Sequence, residues 1–169
     1  MAIYPYTVLV LEDEQRQLTR ITEGLNTFYL RVRDNYLTNL LPWVESTLRV
    51  SPTPSRRAFA GLSLGGGLAA TMLFNATSTF SAYNVMSNIP FPALGDPIYE
   101  NPELRNVSIF LGAGFYDIAF QNSRNAGQRL DAAGLSHYQN YYFPDGGHQW
   151  SSWQEILWVW GRTGIWKKA

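Results

Sequence analysis

Apolar residues along this chain follow two rhythms, and the switches between them outline its elements. Residues 6–11 contain Tyr6, Val8, Leu9, Val10 and Leu11 in one run, bounded by Pro5 and the acidic cluster Glu12, Asp13, Glu14. Such a run predicts a strand buried on both faces, the pattern of a parallel sheet. Residues 12–28 are polar and ambiguous in pattern, and loop with room for a helical turn is expected there. From Asp34 the period becomes helical: Tyr36, Leu37, Leu40, Leu41, Val44 and Leu48 share one face, with Asp34 or Asn35 as cap. Pro42 lies inside this run and predicts a kink. Residues 51–55 carry Pro52 and Pro54 and break the helix. Residues 57–61 then form a short apolar strand, with a helix-forming run over 68–74.

The second half repeats the alternation. Residues 81–87 predict a strand through Tyr83, Val85 and Met86. Residues 88–105, with Pro90, Pro92, Pro97 and Pro102, predict a long irregular segment, and such a segment in a compact domain is usually functional or disordered. Residues 107–112 predict a strand and 113–117 a loop. A helix over 122–133 stops at Gly134, and an aromatic strand runs over 137–143. After a loop at 144–150, a helix over 151–160 places Trp153, Ile156, Leu157 and Trp160 at helical spacing. Strands alternating with helices predict an α/β fold, a mostly parallel sheet of about five strands flanked by helices. Without repeats or a linker, residues 1–169 read as a single domain.

Composition narrows the function. The 169 residues carry 13 Lys+Arg against 13 Asp+Glu, so no basic surplus points to nucleic acid or an anionic membrane. The chain has no cysteine, which excludes a disulfide framework, a Cys-ligated zinc site and a thiol nucleophile. His137 and His148 are its two histidines, too few for a histidine-rich metal centre. Neither a metal nor a cofactor is expected. No apolar run approaches a membrane span, and no signal-peptide pattern stands at the front, so a cytoplasmic setting is favoured.

The segment from Arg57 to Gly67 carries the chemistry. Gly61-Leu62-Ser63-Leu64-Gly65 fits Gly-x-Ser-x-Gly between a predicted strand and a predicted helix. That order makes a nucleophile elbow, in which a strained turn lifts the serine hydroxyl clear of the sheet. Side chains at Gly61 or Gly65 are expected to crowd it. The helix behind Ser63 would aim its free N–H groups at a developing oxyanion, with the Leu64 N–H as donor. Sites in open parallel sheets form at the carboxyl ends of strands. Asp117 and His148 follow two further strands, so Ser63, Asp117 and His148 are the candidate catalytic residues. A serine needs a base, and the base needs a carboxylate on its far nitrogen. The order Ser, Asp, His is the one found on an α/β-hydrolase sheet. Asp145 and Asp96 are rival acids; the first reads as a turn residue, the second lies in the Pro-rich segment. His137 reads as surface or packing. Tyr116, Phe115 and Trp150 are candidates to wall the site and bind substrate.

The segment 57–67, the run Leu40-Leu41-Pro42-Trp43-Val44-Glu45, residues 112–117 and Gly146-Gly147-His148-Gln149-Trp150 together resemble the esterase-D and feruloyl-esterase branch of the α/β hydrolases, which includes carbohydrate esterases. The resemblance runs from about residue 6 to the end. It implies a serine carboxylesterase acting on short-chain acyl esters through an acyl-enzyme on Ser63, with Asp117 and His148 completing the triad. An acyltransferase with the same triad is the alternative, as is a non-catalytic relative serving as a binding or assembly subunit. The family's usual N-terminal strands and its His-Gly-type oxyanion loop have no counterpart here, so the expected fold is a reduced, N-terminally truncated one. The second oxyanion donor is then expected from residues 12–15, with a neighbouring subunit as the alternative source. An exposed sheet edge and the side chains Trp158, Trp160, Ile165 and Trp166 suggest a homo-oligomer, dimer or tetramer.

Overall fold

The computed structural model describes residues 14–88 and 90–165. The expected strand at 6–11 lies outside the described residues, as do Glu12, Asp13 and Trp166. Helix α1 (Glu14–Asn35) leads through a π-helical turn (Tyr36–Leu40) into α2 (Leu41–Thr47). Much of the segment expected to be loop is therefore helix. Pro42 stands in the first turn of α2. Its ring would crowd the carbonyl four residues earlier in a regular helix. The chain instead widens by one residue, and the Leu41 N–H reaches back five residues to the Tyr36 carbonyl.

Four strands and three helices follow: β1 (Ala58–Leu62), α3 (Leu64–Asn75), β2 (Ala82–Met86), β3 (Ser108–Tyr116), α4 (Phe120–Ala132), β4 (Gln139–Gly147) and α5 (Trp150–Thr163). Among the described residues the sheet has four strands in the order β1-β2-β3-β4, all parallel. Within the Pro-rich stretch, two 3-10 turns form at Pro97–Glu100 and Pro102–Asn106. Their first backbone donors are accepted by Asp96 and Asn101.

Alternation along the central strands sorts the core onto two faces. Tyr83, Val85, Ile109 and Leu111 meet Met72 and Leu73 of α3 and Leu130 of α4. Ala82, Met86 and Phe110 point the other way, onto Trp153, Ile156 and Trp160 of α5. Both faces are covered, as an all-parallel sheet requires. Trp160 is thus core rather than contact surface, and Ile165 packs against the same cluster. Trp158 stays 62% exposed.

β3 and β4 outlast their predicted ends. Between the pairs Gly114–Phe143 and Tyr116–Gly147 the register shifts, and two steps along β3 are matched by four along β4. Pro144 lies in this irregularity on an edge strand, where a missing N–H breaks no ladder bond. Backbones come so close there that a Cβ on Gly114 would lie 2.1 Å from the Gly146 oxygen. This closeness carries the residues after β3 and β4 towards each other.

Candidate active site

Ser63 is the single residue between β1 and α3. Its φ of 54° and ψ of −118° fall in a region that residues with a Cβ seldom enter. Its N–H donates to the Met86 carbonyl at the end of β2, and its carbonyl accepts from Gly67 at the start of α3. The neighbouring strand and the helix thus hold the strained turn from both sides. Gly61 makes the turn possible, since a Cβ there would stand 1.8 Å from the Gly65 oxygen. The same expectation fails for Gly65, whose Cβ would meet nothing within 4 Å. Gly66 is the second tight position: its Cβ would lie 2.3 Å from the Met86 oxygen.

The three strand ends converge. Ser63 Oγ lies 2.8 Å from His148 Nε2, and His148 Nδ1 lies 2.9 Å from Asp117 Oδ1. With Nδ1–H donating to the carboxylate, Nε2 is left to accept the Ser63 proton. The Asp117 side chain is fully buried, while that of His148 is 27% exposed. A buried carboxylate needs donors, and this one has them. Oδ1 also accepts the Ala119 N–H at 2.8 Å, and Oδ2 accepts the Ser87 hydroxyl at 2.5 Å. The Trp153 ring meets the His148 ring edge-on, with centroids 4.9 Å apart.

The other sequence candidates sort clearly. Leu64 opens α3, so its N–H belongs to the first-turn donors that lack intrahelical partners. Tyr116 and Trp150 flank Asp117 and His148 in the chain and are 78% and 68% exposed. Trp150 packs edge-on against Trp153. Phe115 turns instead to Phe120 and Tyr142. Glu14 and Gln15 are the first residues of α1, not loop. Asp96 caps a 3-10 turn, Asp145 is exposed, and His137 Nε2 bonds the Leu104 carbonyl. None of these three joins Ser63. A cavity of about 600 Å³ lies elsewhere, on the flank between α1, α3 and the Pro-rich segment, lined by Leu25, Gly67, Phe74, Phe91 and Ile98. Sequence reading missed Ser87 and Trp153. A lone serine at a strand end and an apolar helix position carry no signal of a shared hydrogen bond.

Residues 14–159 match the Esterase family model. The chain belongs to that family. Solved structures agree with this placement. A ferulic acid esterase is 27% identical, with a TM-score of 0.63 over 75% of this chain and 58% of its own. S-formylglutathione hydrolase (FrmB) from Staphylococcus aureus shares the fold at 17% identity and a TM-score of 0.62, over 82% of this chain and 64% of that one. A feruloyl esterase module from Clostridium thermocellum complexed with sinapinate shares it at 16% identity and 0.63, over 79% and 56%. The chain therefore spans less than two thirds of the length of each of these proteins. Among its described residues, no helix is long and apolar enough to cross a membrane.

Proposed function

We propose that this esterase-family chain is a serine carboxylesterase that hydrolyses short-chain acyl esters of small molecules. The observation that carries the reading is the continuous relay from Ser63 through His148 to buried Asp117, at 2.8 and 2.9 Å. In the first half-reaction His148 Nε2 takes the Ser63 proton while Oγ bonds to the ester carbonyl carbon. The carbonyl oxygen becomes an oxyanion, and the Leu64 N–H at the start of α3 is the proposed donor to it. Collapse breaks the bond to the alcohol oxygen, which leaves with the proton held by His148. Water then attacks the acyl-enzyme, giving its proton to His148. The released acid carries the new oxygen, and Ser63 regains its proton. Asp117 stays ionised throughout and balances the imidazolium.

The half-open setting of Ser63 and the exposed part of His148 give water a route to the acyl-enzyme, which favours hydrolysis over acyl transfer. Tyr116, next to Asp117 in the chain, and Trp150, two residues after His148, are exposed and are the proposed apolar faces for the acyl or alcohol group. The same chain is proposed to self-associate, through the exposed apolar side of α5.

The test is p-nitrophenyl acetate hydrolysis together with labelling by a phosphonate. Ser63→Ala and His148→Ala are each expected to lose about a thousandfold or more in kcat, and Asp117→Asn a comparable amount, without adding when combined. The phosphonate should attach to Ser63 alone. Ser63→Ala protein that retains activity within a fewfold would remove the basis of the reading.

A further inference from the structure

We propose that Ser87 and Trp153 are positioning residues for the relay, holding Asp117 and His148 in register; the proposal rests on the esterase reading above. Ser87 directly follows β2, and its φ of 49° is again in the left-handed region that a Cβ disfavours. It is 3% exposed. Its N–H donates to the Gly112 carbonyl at 2.8 Å, so the β2–β3 ladder fixes where its hydroxyl stands. That hydroxyl donates its one proton to Asp117 Oδ2 at 2.5 Å. Its oxygen in turn accepts the Trp153 Nε1–H at 2.8 Å. Indole, hydroxyl and carboxylate thus form one buried chain of donors, each committed in a single direction.

The consequence is geometric. Oδ2 is held by Ser87, while Oδ1 is held by the Ala119 N–H and points at His148. With both oxygens anchored, the carboxylate has no free rotation about its last bond. Trp153 acts a second time, because the same indole lies edge-on against the imidazole at an interplanar angle of 87°. It leaves the ring little room to tilt away from Ser63. A serine that only filled space would have no reason to hold a strained backbone conformation; here the strain aims the hydroxyl. When positive charge forms on His148, the compensating carboxylate is already in place and nothing has to reorient.

The experiment is a double-mutant cycle on Ser87→Gly and Trp153→Phe, read as kcat and KM with p-nitrophenyl acetate, with circular dichroism at the assay temperature. Glycine accepts the left-handed backbone and removes the hydroxymethyl group, and with it both hydrogen bonds of the hydroxyl. Ser87→Gly is expected to lose about tenfold to a hundredfold in kcat with native dichroism, the scale of one hydrogen bond to a charged group, while KM moves by less than about threefold. Trp153→Phe keeps a ring against His148 but loses the donor, and should lose about threefold to tenfold in kcat. In the Ser87→Gly background, Trp153→Phe should cost nothing further in kcat, because the indole donor acts through the hydroxyl. The proposal is overturned if Ser87→Gly keeps kcat within about twofold, if its loss matches the fraction unfolded, or if Trp153→Phe costs as much without the hydroxyl as with it. Should Ser87→Gly fail to fold, an unchanged kcat in Trp153→Phe overturns it instead. Failure of the esterase reading looks different, since Ser63→Ala would then remain active whatever the cycle shows.

Discussion

Gly61 has no room for a side chain, whereas Gly65 has room to spare, and the difference can be measured. A methyl group on Gly61 would run into the backbone of Gly65, at 1.8 Å from its oxygen and 2.4 Å from its carbon. Neither atom can move without opening the first turn of α3. Gly61→Ala is expected to destabilise the protein by about 3 kcal/mol or more, or to prevent folding. Gly65→Ala should be neutral or stabilising by about 0.5–1 kcal/mol, because alanine is the better helix residue. Urea denaturation of both variants checks the pair; equal losses would contradict it. The motif Gly-x-Ser-x-Gly gives the two glycines equal weight, and only their surroundings separate them. The same holds for the acids. Asp96, Asp117 and Asp145 are each loop carboxylates in sequence, and Asp117 is distinguished by the three donors gathered around it.

At the scale of elements, the sequence pattern located most helices and strands and misjudged how far they run. Leu18, Ile21, Leu25 and Phe28 recur at helical spacing within residues 14–28, a local signal hidden among many polar neighbours. Packing adds to it at the next residue: Tyr29 of α1 is buried where a Cβ on Gly67 of α3 would touch its hydroxyl. β3 and β4 extend through Gly114, Gly146 and Gly147, residues that read locally as loop, because the paired strand supplies the hydrogen bonds. The connections between elements carry a pH dependence. Burial first, and then Asp96, push the Tyr99 phenol up to about 12 against the pull of Arg129. Burial first, and then its bond to Asp131, push Tyr138 up to about 12. A group whose folded pKa is raised stabilises the fold fully below its unfolded value, and that stability is lost as pH rises through the folded one. Stability should therefore hold up to about pH 10 and fall between about pH 10 and 12. Denaturant midpoints across that range should fall together with the rise of tyrosinate absorbance. A midpoint flat to pH 12 would contradict the assignment.

For the whole molecule, α5 is the element with two loyalties. Its inner face closes one side of the sheet with Trp153, Ile156 and Trp160. Its outer face exposes Leu157 at 46% and Trp158 at 62%, with Arg162 stacked 5.4 Å from the Trp158 ring. On the far side of the sheet, β1 has no second partner strand among the described residues. An apolar helix face of this kind suits a two-fold contact with a second copy, burying more than about 1,000 Å² in all. Light scattering at tens of micromolar is expected to give twice the mass of the chain. Trp158→Glu should halve that mass and leave kcat unchanged, because Trp158 takes no part in the Ser63 relay. A wild-type protein with the mass of one chain at that concentration would rule the contact out.

Local rules suffice where a residue type is needed for its own conformation or chemistry. That is why the order of strands and helices, the turn at Ser63 and the three candidate side chains are legible along the chain: apolar period and glycine spacing are properties of neighbours in sequence, and each of Ser63, Asp117 and His148 stands just after a predicted strand. Other features depend on residues far apart in the chain, and tertiary structure alone decides them. Pro42 announces a disturbance, and the structure shows the form it takes, a wide turn at Tyr36–Leu40 whose Tyr36 and Leu37 pack against the core. Trp160 and Trp158 are two residues apart, about 200° around α5, so the period sets them on opposite faces, and the docking of α5 on the sheet decides which face is buried. Ser87 and Trp153 are 66 positions apart and share one hydrogen bond. No pattern in sequence reports such a pair, because its energy exists only when β2 and α5 have come together around Asp117.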